Sequence, residues 1–150
     1  MSLKQKCEAG ALKLVENAGT FAGARFRAQE AQVVTLTVPC VFAIAEIMGD
    51  ACLASDGSTL GLKRVLLVVG IKGSADATTA LPDPAASHAA NVDLIRDVLQ
   101  IDTLAGDLSA TQTDFTVVAA VPLDPPPSDT QGRNSVDYFA WELIACEREL

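Results

Sequence analysis

The segment from Val38 to Ile47 is apolar on both sides of an extended chain. Val41, Ala43, Ala45 and Ile47 fall on one face, and Cys40, Phe42 and Ile44 on the other. A strand without a polar face has to lie inside a sheet, flanked and covered by other elements. A second segment, Arg64 to Lys72, alternates Val65, Leu67, Val69 and Ile71. The two read as an antiparallel pair joined by the long polar connection 50–61, which holds the turn signal Asp56-Gly57-Ser58. Phe115 to Val121 and Asp137 to Cys146 supply two further strands, the last with Phe139, Trp141, Leu143 and Ala145 towards the core. Ala24 to Ala28, short and alternating, reads as an edge strand with Arg25 and Arg27 facing water.

Helical spacing marks two other regions. Leu3, Cys7, Ala11, Leu14, Val15 and Ala18 recur every three or four residues over 3–18, with Lys4, Glu8, Lys13 and Glu16 pointing elsewhere and Gly19 as the stop. Asp83-Pro84 is a helix start, and His88, Val92, Ile95 and Leu99 then stack along one face. Asp102-Thr103-Leu104 begins a short extra turn. This order predicts an α+β fold: a four- to five-stranded antiparallel or mixed sheet with helices packed mainly on one face. At 150 residues, 49% of them hydrophobic, the chain suits one domain over 1–150. Loops should project at about 50–61 and 123–135, the second opening with Pro125-Pro126-Pro127, a stiff polyproline run, and continuing to Arg133.

Lysine and arginine total 11 against 19 acids, a net charge of −8. A protein whose work is gripping nucleic acid needs the opposite balance, because affinity comes from displacing counterions. The start Met1-Ser2-Leu3-Lys4 has no secretory pattern, and the longest greasy stretch, Val65 to Ile71, is far below the roughly 20 residues of a membrane helix. Cytoplasmic synthesis and no membrane partner are therefore expected. Cys7, Cys40, Cys52 and Cys146 are scattered without a C-x-x-C pair, as suits reduced and mostly buried thiols, Cys52 being the one nearest a loop.

Chemistry-bearing residues do not cluster. His88, the single histidine, has no Asp or Cys in its local pattern, and a structural role is the simpler reading. No cysteine follows a glycine-rich elbow. Asp50, Asp56, Asp76 and Asp83 do not have calcium-loop spacing, and Gly70 and Gly73 lack the phosphate-cradling pattern. Hence no catalytic residue, cofactor or metal is expected. The organisational features are long loops and open edges, which serve binding in small domains. They nominate Arg25, Arg27, Asp56, Pro125, Pro126, Pro127 and Arg133 as interaction residues. A monomer with floppy loops is the plainer reading of the same features.

The run His88 to Leu99 followed by Thr103-Leu104-Ala105 resembles the small neck and tail-completion proteins of tailed bacteriophages. So do the closing strands Phe115-Thr116-Val117-Val118 and Trp141 to Cys146 around a long loop, the opening Ala11 to Val15, and Val38 to Val41. In the tail-terminator type an opening helix leads to a sheet with a helix laid across it. The resemblance implies a virion structural subunit, assembled in the host cytoplasm, that forms a homo-oligomeric ring, commonly a hexamer. Such a ring caps the tail tube and joins it to the neck and connector proteins, and DNA passes through without specific binding. Acidic side chains would suit a channel wall, since they repel phosphate. A head-tail connector or a tail-tube-like subunit fits the same pattern. From other classes, a small cytosolic enzyme using Cys52 or His88, or an adaptor taking a peptide on a sheet edge, is the alternative.

Overall fold

The structure, a computed structural model, describes residues 2–17, 25–28, 40–51, 61–74, 84–100, 102–123 and 134–148, with side chains at 25–28, 40, 72–74, 84–91 and 134–136 left aside. Its elements run α1 (Leu3–Asn17), β1 (Arg25–Ala28), β2 (Cys40–Asp50), β3 (Lys63–Ser74), α2 (Pro84–Leu99), α3 (Leu104–Ser109), β4 (Thr116–Leu123) and β5 (Asn134–Cys146). The fold is α+β, as the patterning predicts. The five strands lie in the order β1-β2-β3-β5-β4. β1 runs parallel to β2, and the other three pairings are antiparallel. β5 enters between β3 and β4, so those two strands run the same way, linked by α2 and α3.

α1 begins with a capping box. Ser2 Oγ accepts from the Gln5 amide at 3.3 Å, and Gln5 Oε1 accepts from the Ser2 amide at 2.9 Å. The Glu147 carboxylate, at the end of β5, accepts the next free amide, that of Leu3. The inward side chains of the sheet (Val41, Ala43, Val65, Leu67, Val69, Ile71, Trp141, Leu143) form one cluster with Cys7, Ala11 and Val15 of α1, Ile95 and Leu99 of α2, and Leu104 and Leu108 of α3. All three helices therefore cover the same face. Truncating a fully buried member such as Leu67 would cost roughly 2–5 kcal/mol in lost transfer energy and cavity.

The opposite face is not bare. Phe42 is wholly buried there and meets Tyr138 edge-on, ring centroids 6.2 Å apart. It lies across Gly70, where a Cβ would stand 2.2 Å from the Phe42 Cζ. Gly70 is thus a close-approach glycine of the sheet.

Several boundaries differ from the patterning. The β2–β3 ladder continues to Asp50↔Lys63, and the Ala51 amide donates to the Leu62 carbonyl at 2.9 Å, so the start of the expected 50–61 loop belongs to the hairpin. Likewise Leu123 closes β4, and Asn134 and Ser135 open β5, which trims the expected 123–135 loop. The rest of both loops, 52–60 and 124–133, lies outside the described residues.

Candidate interaction surface

Because β1 is short, the sheet has an unusual left edge. The β1–β2 ladder stops at Ala28↔Ala43, and β2 continues for seven residues beyond it. The Ala45 amide would then be a buried donor without a strand partner, a costly arrangement. Glu8 resolves it: its Oε2 accepts from the Ala45 amide at 2.9 Å and from Lys4 Nζ at 2.6 Å, one helical turn earlier. The sequence pattern sends Glu8 outward with the other charges of α1, but it is 1% exposed. The Ala45 amide, a partner that single-residue polarity does not reveal, holds it inward.

Past this point β2 breaks register between Ile47 and Gly49, where Gly49 takes φ +146°, a conformation suited to glycine. Ile47 was expected among the core residues of β2. It is 40% exposed instead, and Met48 52%, at the point where the β2–β3 register breaks. Beside Ile47 lies a pocket of about 410 Å³ whose apolar lining comes from Leu3, Ile47 and Cys146, and whose charged lining comes from Lys4, Lys63, Glu147 and Arg148. Lys63 pairs with Asp50 at its rim.

The right edge is β4. Its ladder with β5 breaks register between Val117 and Ala119, and Val118, Val121 and Leu123 are 38%, 55% and 39% exposed. Val121 stands opposite Glu142, which pairs with Arg64 at 3.2 Å. Pro122, opposite Trp141, has no amide to offer. A second pocket, about 390 Å³, opens on the helix side of this strand between Leu99, Leu104, Ala120, Pro122 and Trp141, with Gln100 and Asp102 at its polar rim. Trp141 is 1% exposed and stacks on Phe139, with centroids 6.4 Å apart.

Cys7 and Cys146 are free thiols and buried. Burial, and secondarily the Glu8 carboxylate next to it, pushes the Cys7 thiol up to about 12, so it is a packing residue and no nucleophile at neutral pH. The described residues hold no group of three or more potential metal ligands, and no described helix is long and apolar enough to cross a membrane.

Of the nominated interaction residues, Arg25 and Arg27 have their backbone in β1, at the edge of the sheet, and their side chains are outside the described set. Asp56, Pro125, Pro126, Pro127 and Arg133 lie outside the described residues altogether, as does Cys52, and His88 is placed in α2 by its backbone alone. Patterning missed the exposed residues of β4, although Thr116-Val117-Val118-Ala119-Ala120-Val121-Pro122-Leu123 carries a signal: consecutive rather than alternating apolar positions, ending on a proline. No protein-family model matches the sequence, and no curated protein matches it significantly.

Proposed function

We propose that this chain is a structural subunit of a tailed-phage neck or tail, a ring-forming tail terminator that caps the tail tube and joins it to the head. One observation supports self-assembly most directly. The large hydrophobic side chains that are exposed among the described residues are Ile47 and Met48, at the end of β2 beyond its last pair with β1, and Val118, Val121 and Leu123, on the edge strand β4. They form two unlike patches, one at the end of β2 and one on β4. Unlike patches on one chain favour head-to-tail contact, which closes into a ring when the rotation between neighbours allows. On this reading the subunits act by shape, in the virion, with copies of themselves, tail-tube and connector proteins as partners. The acidic balance lets DNA move past without being held.

Light scattering after gel filtration, over a wide concentration range, tests the proposal. A discrete multi-subunit mass is expected. A strict monomer at the highest concentrations would contradict it and favour an adaptor that takes a foreign strand on one of the same edges.

A further inference from the structure

We infer that the pocket at the start of α1 is a socket for the β4 edge of a second copy of this chain, with Val121 and Leu123 as the plug. This rests on the self-assembly reading and assigns its two surfaces.

The socket is mostly apolar. Leu3, Ile47 and Cys146 line it, and its volume of about 410 Å³ suits a few side chains. Its charges already have partners: Lys4 with Glu8, Lys63 with Asp50 and Glu147 with the Leu3 amide, and Arg148 is engaged as well. An ionic ligand would have to break those pairs, whereas an aliphatic plug leaves them in place and covers Ile47.

The plug has the matching character. β4 contains no charged residue, so two chains of net charge −8 can approach along it with the least repulsion. Val121 and Leu123 are alternate residues, both exposed, and they project from the same side of the strand roughly 7 Å apart. Pro122 between them removes an amide, and the break at Val118 distorts the ladder, so β4 is a poor template for regular pairing with another strand. Contact at this edge has to run through side chains, as a plug does. The socket takes its lining from the ends of β2, β3 and β5, and Val121 stands opposite Glu142, four residues along β5 from Cys146, a separation of roughly 13 Å. No copy can fill its own socket, and each copy offers both halves.

Cross-linking between variants tests this. Ile47→Cys and Val121→Cys are made separately, each in a Cys146→Ala background because that thiol lines the pocket, and both positions are exposed enough to leave the fold intact by circular dichroism. A short bis-maleimide should join the chains in a mixture of the two variants and in neither variant alone, with the Cys146→Ala chain as the blank. If light scattering shows an oligomer but the mixture gives no link, or Val121→Cys links to itself, the socket is overturned while self-assembly stands. If neither oligomer nor link appears at any concentration, both fall.

Discussion

The two free edges of the sheet are protected by different means. At the left, among the described residues, β1 pairs with β2 only as far as Ala43, and the Ala45 amide beyond it is met by a carboxylate reaching in from α1. At the right, β4 is protected by its own backbone, through a register break and a proline. Each device prevents indiscriminate strand addition. They leave different surfaces behind: a pocket with paired charges on one side, a bare aliphatic strip on the other. Two unlike surfaces far apart on one chain suit a directional contact, in which each copy gives one surface to one neighbour and the other to the next.

Breaking the left device should have the largest effect on stability. Glu8→Ala leaves the Ala45 amide unpaired and opens a void, which should cost about 3 kcal/mol in urea denaturation. Glu8→Gln keeps an acceptor and should lose roughly half as much. If the two variants were equally stable, the hydrogen bond to Ala45 would not be what holds Glu8 in place. Next, Gly70→Ala drives a methyl into Phe42 and should cost about 2 kcal/mol, with partial recovery in the double variant carrying Phe42→Leu. Since Gly70 lies between the edges, assembly of the surviving folded protein should be unchanged.

Cys7 gives a pH-dependent measure of the same α1 corner. Its folded pKa is raised, so its contribution is fully present below pH 9, where the thiol is protonated in both states, and is lost from there towards about 12 as the unfolded chain deprotonates first. Wild type should lose about 1.4 kcal/mol per pH unit more than Cys7→Ala in that window. Parallel stability curves for the two would mean that Cys7 is not shielded. The smallest effect on stability belongs to the right edge. Pro122→Thr should change it by less than about 0.5 kcal/mol, yet it restores an amide to β4. Scattering should then show open-ended association in place of a discrete mass.

Much of the architecture is legible in the sequence because it rests on periodicity. β2 has to be interior since it has no polar face, and α1 and α2 follow from their stripes. What periodicity does not carry is pairing. Nothing in Arg25 to Ala28 announces that β1 is parallel to β2 and covers only four of its residues. Past that point Glu8 is buried against the Ala45 amide, and Ile47 and Met48 are exposed. The insertion of β5 between β3 and β4 is equally invisible, and it puts β4 at the edge. The candidate surface was therefore hidden, whereas the nominated loops and arginines rest on loop length and a short edge strand, features that a linear pattern does display.

The central claim is that copies join by unlike edges. Val121→Asp spoils the plug and keeps the socket; Ile47→Asp does the reverse. Each variant alone should be monomeric by light scattering where the unsubstituted chain assembles, and an equimolar mixture should stop at two chains, one intact plug in one intact socket. A mixture that stays monomeric, or a Val121→Asp chain that assembles as before, would contradict it.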